Sequence, residues 1–98
     1  MNVMHSCCAG LDVHKATVVA CALWRDDQGH DQQETVTFGT MTRDLLALSD
    51  WLEARKVTHV AMESTGVYWK PIYHILEDGF TLLLVNARDL KHVPGRKT

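Results

Sequence analysis

The stretch VTHVAMESTGVYWKPIYHILEDGFTLLLV, residues 57–85, decides the fold of this chain. It contains a strand-like run at residues 57–62, a predicted helix that ends before Gly79, and a second apolar run at residues 80–85. The helix carries its apolar side chains on one face: Tyr68, Trp69, Ile72, Tyr73 and Leu76. Because a strand–helix–strand crossover within one sheet is normally parallel and right-handed, the two strands should run in the same direction. The second run is the most apolar in the chain, which is typical of a central or well-covered parallel strand.

The sequence upstream of this stretch predicts three antiparallel strands and a helix. Residues 6–13 and 16–23 are apolar runs of strand length, separated by two polar residues, and they predict a hairpin. Residues 33–38 alternate polar and apolar side chains, as a half-buried strand does. Thr42 is the predicted N-cap of an amphipathic helix. The apolar side chains of this helix recur at helical spacing: Leu45, Leu48, Trp51 and Leu52.

The order of elements is therefore β-β-β-α-β-α-β, an α/β chain with a mixed sheet in which helices form the crossovers. This is the element order of the ribonuclease H-like (RuvC-like) fold. In that fold the first strand lies beside the fourth and parallel to it. The carboxyl ends of these two strands should then face a common point.

The composition is that of a single globular domain. The chain has 98 residues, of which 46% are hydrophobic and 22% charged, which excludes collagen, a coiled coil and a low-complexity tail. The formal net charge is −2, but residues 86–98 hold four basic residues and one acid, a net of +3, which leaves six basic and eleven acidic residues, a net of −5, in residues 1–85. The basic character is therefore concentrated at the end of the sequence.

The sequence also indicates the compartment. It has neither a run of about 20 apolar residues nor a signal-peptide pattern, so we expect a cytoplasmic protein, in the bacterial cytosol or nucleoid, with no membrane partner. Its three cysteines form neither a disulfide framework nor a zinc pair, and reduced, packed thiols are expected.

Two acids, Asp12 and Glu63, stand at the ends of the first and fourth predicted strands. Carboxylate oxygens are the ligands that Mg²⁺ prefers, so together they predict a site for one loosely held metal. Each has a simpler interpretation: Asp12, half-buried in an apolar strand, pairs with Lys15, and Glu63 is a solvated residue that opens a turn. A two-metal site normally needs more carboxylates, and Asp89, among basic neighbours, is better explained by a local ion pair.

Other residues are candidates for contacts with nucleic acid. Ser64, Thr65 and Gly66 precede a predicted helix N-terminus, where a phosphate would be favoured, although an ordinary cap and turn explains them equally simply. Five basic residues could contact phosphates or could simply be solvated: Lys15, Arg88, Lys91, Arg96 and Lys97. Tyr68 and Trp69 could stack on a base, but their spacing favours the core. The six histidines show no metal-binding spacing.

Four motifs carry a family resemblance: GLDVHK at residues 10–15, MESTGVYW at 62–69, VNAR at 85–88 and PGRKT at 94–98. The chain resembles the N-terminal domain of the DEDD transposases, the insertion-sequence recombinases of the IS110 type that are related to the Piv invertase. The resemblance implies a RuvC-like nuclease fold with four acidic metal ligands, the first two at Asp12 and Glu63, which hold Mg²⁺ or Mn²⁺. The other two, both aspartates, belong to a segment that follows the PGRKT motif, so residues 1–98 are expected to be a single, incomplete RuvC-like domain that holds metal weakly.

The resemblance implies that the full-length enzyme is a homo-oligomeric recombinase that cuts and rejoins DNA in transposition, with a structured guide RNA as a further partner. The 98 residues alone are expected to be inactive. An alternative is a truncated, non-catalytic remnant or accessory chain that binds nucleic acid or a recombinase. A third possibility, a nucleotide-binding fragment of the sugar-kinase and actin type, is disfavoured because no glycine follows Asp12 in Val13-His14-Lys15.

Overall fold

The computed structural model describes residues 7–85 as a five-stranded mixed sheet with two helices. The predicted features at Arg88, Lys91, Arg96 and Lys97 lie outside these described residues. The elements follow the predicted order: β1 Cys8–Val13, β2 Val18–Arg25, β3 Asp31–Phe38, α1 Thr42–Ala54, β4 His59–Ser64, α2 Lys70–Leu76 and β5 Thr81–Val85. Neither α1 nor α2, the helices found between residues 7 and 85, is long and apolar enough to cross a membrane.

The strands lie in the order β3-β2-β1-β4-β5. The chain starts in the middle of the sheet, turns back through the antiparallel strands β2 and β3, and then crosses over α1 to place β4 on the other side of β1. β4 is parallel to β1, and β5 is parallel to β4. These pairings confirm the predicted hairpin, the predicted parallel crossover and the predicted position of the first strand beside the fourth.

The core lies between one face of the sheet and the two helices. Strand β1 buries Ala9, Leu11 and Val13 and exposes the residues between them, and β4 buries Val60 and Met62 in the same alternation. The helices contribute Leu45, Leu48, Leu52, Ile72 and Leu76 to the same cluster. The opposite surface, which we call the open face, is covered by neither helix. It carries Cys8, Gly10, Asp12, Val19, Cys21, Leu23, His59, Ala61, Glu63, Thr81, Leu83 and Val85.

Helix α1 begins one residue away from the predicted N-cap. Met41, not Thr42, is the N-cap, and its backbone N–H donates to the Asp44 carboxylate at 3.1 Å. Asp44 is the acid predicted for the first turn by its sequence position, and it satisfies a backbone group that a threonine cap would not reach from Thr42. The predicted core residues Leu45, Leu48 and Leu52 are buried.

The turn between β2 and β3 is fixed by Asp26. Its Oδ1 accepts the backbone N–H groups of His30 and Gln28, both at 2.9 Å, and Gly29 supplies a φ of 82°. The hydrogen bond from His30, with further ones from Gln28 and Gln32, lowers the pKa of this carboxyl. These bonds extend the hairpin, so that β3 begins at Asp31, two residues before the predicted start.

Strand β5 differs from its prediction. Its apolar sequence indicated a central or well-covered strand, but among residues 7–85 it pairs only with β4 and stands at the edge of the sheet. Leu83 is 61% exposed and Leu84 37% exposed. A run of consecutive apolar residues cannot by itself distinguish a strand covered on both faces from one covered on a single face.

Arg55, the C-cap of α1, fastens the helix to the outer strands. Its guanidinium lies 4.5 Å from the centre of the Trp51 ring, and its Nη2 is 2.6 Å from Oε1 of Glu34 on β3. We expect Arg55→Ala to lower the free energy of unfolding by about 1–2 kcal/mol, because it removes both a cation–π contact and an ion pair. Arg55→Lys, which keeps the charge but not the planar fork, should recover only part of this loss in urea denaturation. Equal stability of wild type and Arg55→Ala would contradict this role.

Candidate functional site

Asp12 and Glu63 lie opposite each other at the carboxyl ends of β1 and β4. They are register partners in the parallel pair, so their side chains project from the same face of adjacent strands, which are about 4.8 Å apart. Their local sequences explain this placement: Leu11 and Val13 turn inward on either side of Asp12, and Met62 and Ser64 do so on either side of Glu63. The two carboxylates therefore share the open face.

Asp12 is more exposed than the sequence indicated. Its side chain is 59% exposed, so the expected half-buried carboxylate in an apolar strand is wrong. The apolar neighbours of Asp12 along the chain face the core, whereas Asp12 itself faces outward. The carboxylate therefore has little desolvation cost and does not require a compensating charge.

The surface beside the two acids is a shallow, open depression of about 370 Å³ on the open face. Small side chains form its floor: Gly10, Val19, Cys21 and Ala61. A Cβ atom built on Gly10 would meet no other atom within 4 Å, which shows that the space above β1 is free of the described residues. A ligand can therefore approach the two carboxylates along the sheet.

Asp12 has a partner that the sequence analysis did not identify. Its Oδ2 is 3.2 Å from Nε2 of His14, whereas no ion pair joins Asp12 to Lys15 within residues 7–85. The predicted Asp12–Lys15 pair is thus wrong, because in extended chain residues two apart share a side and residues three apart do not. Lys15 is exposed, and its backbone carbonyl accepts the Thr40 hydroxyl at 3.3 Å. The spacing of His14 from Asp12 was the available signal for the contact.

Glu63 faces the open surface with its carboxylate unengaged by the rest of the described chain: no hydrogen bond or ion pair joins its side chain to any of residues 7–85. Two carboxylates side by side, one of them without a partner there, are an oxygen-donor set of the kind that Mg²⁺ prefers. Across the same residues, no group of three or more His, Cys, Asp or Glu side chains is arranged to hold a metal ion. The donor set thus fits one metal ion and supplies only part of its coordination.

The predicted helix N-terminus at Ser64, Thr65 and Gly66 is not present there. Ser64 ends β4, is 5% exposed, and donates its hydroxyl to the backbone carbonyl of Thr65 at 3.1 Å. Gly66, with a φ of 66°, opens a turn, and α2 begins only at Lys70 with Trp69 as its N-cap. Thr65 and Gly66 are exposed beside the end of β4, whereas the buried Ser64 is turned toward the core.

The aromatic pair predicted for the core is split by the same turn. Tyr68 lies before α2 and is 41% exposed, so its predicted place in the core is wrong. Trp69 is half-buried and packs edge-on against Tyr73 with ring centres 5.7 Å apart. Trp69 therefore belongs to the packing of α2.

Comparisons with known proteins bear on the whole chain. The model of the DEDD transposase family of the IS110 type, described as "Transposase", matches residues 9–98. A comparison with curated proteins finds no match. Among solved structures, the chain is similar to the crystal structure of ROK hexokinase from Thermus thermophilus, with a TM-score of 0.51 and 20% identity.

The hexokinase similarity covers 82% of this chain and 33% of the hexokinase, so the chain spans about a third of that protein. At this identity the likeness concerns the fold alone, a mixed sheet with helices. The family match, by contrast, includes both predicted acids and the four motifs at residues 10–15, 62–69, 85–88 and 94–98. This chain therefore belongs to the DEDD transposase family of the IS110 type.

Proposed function

We propose that this chain is the N-terminal part of a DNA transposase and that Asp12 and Glu63 hold a Mg²⁺ or Mn²⁺ ion for DNA strand cleavage and rejoining. The observation that carries the proposal is the register pairing of the two acids on the open face. The ribonuclease H-like (RuvC-like) nature of residues 1–98 is part of the same proposal, and the parallel pairing of β1 with β4 supports it. Membership of the transposase family supports DNA as the substrate.

The residues present suit a weak metal site. Asp12 and Glu63 would supply carboxylate oxygens on an exposed surface, where waters and phosphate oxygens can complete the coordination. When bound, the metal would act as a Lewis acid that stabilises negative charge on a phosphate oxygen. The chain's own contribution is to fix two oxygen donors on adjacent strands and to leave the floor beside them clear for a nucleic-acid backbone.

Further partners follow from the same proposal. Lys15, Thr65 and Gly66 lie exposed at strand ends beside the acids and are proposed phosphate contacts, as are Arg88, Lys91, Arg96 and Lys97. A structured guide RNA and a homo-oligomeric recombinase are proposed for the full-length enzyme. Since residues 1–98 contain two of the four expected ligands, these residues alone are proposed not to cleave DNA.

A second candidate function is non-catalytic: an accessory chain that binds nucleic acid or a recombinase through the same fold. The observation that favours it is the incomplete metal site, since no set of three donors occurs among residues 7–85. The two candidates differ in whether the acids bind a metal ion at all.

Titration with Mn²⁺, followed by the loss of the free-ion signal in electron paramagnetic resonance, tests the proposal. We expect the chain to bind one ion weakly, and Asp12→Asn and Glu63→Gln each to weaken binding at least about tenfold, because each removes one of only two charged ligands. Asp50→Asn and Glu53→Gln, which neutralise exposed acids on α1, are the matched controls and should bind as wild type does.

Two results would contradict the metal site. One is that the wild-type chain binds no ion, which would favour the non-catalytic candidate. The other is that the Asp12 and Glu63 variants bind as well as the two helix controls, which would place the ion elsewhere.

A further inference from the structure

We propose that His14 is a positioning residue that holds the Asp12 carboxylate for the metal ion; this inference rests on the proposed function. The observation is the contact of 3.2 Å between His14 Nε2 and Asp12 Oδ2. A carboxylate only accepts hydrogen bonds, so Nε2 carries the hydrogen in this contact. One oxygen of Asp12 is thereby engaged, and Oδ1 has no partner among the described residues.

The position of His14 is set by the backbone. It directly follows the last residue of β1, and its N–H donates to the Thr17 carbonyl at 2.9 Å, which closes the turn into β2. Being two residues beyond Asp12, it projects to the same side of the chain. The turn thus brings the imidazole to the outer end of the carboxylate pair.

An exposed aspartate without a partner samples several rotamers, and binding a metal then costs side-chain entropy. A hydrogen bond from His14 to Oδ2 reduces that freedom and leaves Oδ1 as the donor toward the ion. Partners of this kind around metal-ligating groups typically change metal affinity by about 10–100-fold. Because the side chains of His14 and Asp12 are 54% and 59% exposed, we expect the lower end of that range.

The chain offers a matched control. His74 on α2 contacts the carboxylate of Glu77 at 3.5 Å, with its side chain 78% exposed, and it belongs to the surface of α2 and not to the open face. His74→Ala therefore removes a histidine–carboxylate contact of the same chemical type without touching Asp12.

The experiment compares Mn²⁺ affinity at one fixed pH for wild type, His14→Ala, His14→Gln and His74→Ala. We expect His14→Ala to bind about tenfold more weakly. His14→Gln should bind close to wild type, because its amide N–H groups can replace the Nε2–H donor. His74→Ala should bind as wild type does. Circular dichroism spectra identical to wild type confirm that each variant is folded.

A spectroscopic measurement separates positioning from direct ligation. The electron spin echo spectrum of bound Mn²⁺ should show no coupling to a directly coordinated imidazole nitrogen, because His14 contacts the carboxylate in place of the ion. Such a coupling, wild-type affinity in His14→Ala, or failure of His14→Gln to restore binding would each overturn the positioning role while leaving the metal site intact. Absence of Mn²⁺ binding by wild type would instead overturn the proposed function, and this inference with it.

Discussion

Leu48→Ala is expected to lower the free energy of unfolding by about 2–5 kcal/mol. Leu48 is fully buried in the middle of α1, where it belongs to the cluster between the helices and the sheet. The core is one layer deep, because both helices pack on the same face of the sheet. A cavity at Leu48 therefore removes contacts that no second layer of helices can replace, and the loss is large beside a total stability of about 5–15 kcal/mol for an ordinary domain.

Urea denaturation followed by tryptophan fluorescence measures this loss. Leu46→Ala is the matched control, since Leu46 lies on the same helix but is 52% exposed, and it should change the free energy of unfolding by less than about 0.5 kcal/mol. Similar losses in the two variants would mean that α1 does not pack on the sheet through Leu48. The result bears on function because α1 supports the sheet on which the two acids stand.

The placement of the acids was predictable because it depends on alternation and chain order. Asp12 interrupts an apolar run at the end of the first strand, and Glu63 ends the fourth, and a right-handed crossover brings these ends together. The pairing of Asp12 with Glu63 then follows from strand geometry, without knowledge of any side-chain contact. The sequence analysis placed the acids at the right strand ends but misjudged the burial of Asp12, because the apolar residues around it turn to the opposite face.

The remaining errors concern features that local sequence does not encode. The exposure of Leu83 depends on which faces of β5 are covered, and this is a property of the whole sheet. The start of α2 at Lys70 depends on the turn that begins at Gly66, because Ser64 buries its hydroxyl and does not cap the helix. The contact of His14 with Asp12 arises from a hairpin turn whose residues are polar and therefore equally compatible with solvation.

Asp12→Asn is expected to affect stability in opposite directions with and without metal. Two formal negative charges lie opposite each other on adjacent strands, and like charges in such positions destabilise a sheet by about 0.2–1 kcal/mol. Removing one should therefore raise the melting temperature of the metal-free chain. The substituted asparagine side chain keeps an acceptor oxygen for His14, so the loss of that contact is partial.

With Mg²⁺ at about 100 times its Kd, the wild-type chain should gain about 2.7 kcal/mol, since the ion binds only the folded state, whereas Asp12→Asn should gain almost nothing. Differential scanning calorimetry of both proteins, with and without Mg²⁺, measures the four melting temperatures, and Asp50→Asn should follow wild type in both conditions. If Asp12→Asn lowered the metal-free melting temperature, Asp12 would be a structural residue whose contacts outweigh the repulsion from Glu63. If instead the variant gained as much from Mg²⁺ as wild type, Asp12 would not be a ligand. Higher stability without the ion together with lost stabilisation by the ion is the signature of carboxylates that are placed side by side for binding at a cost to the fold.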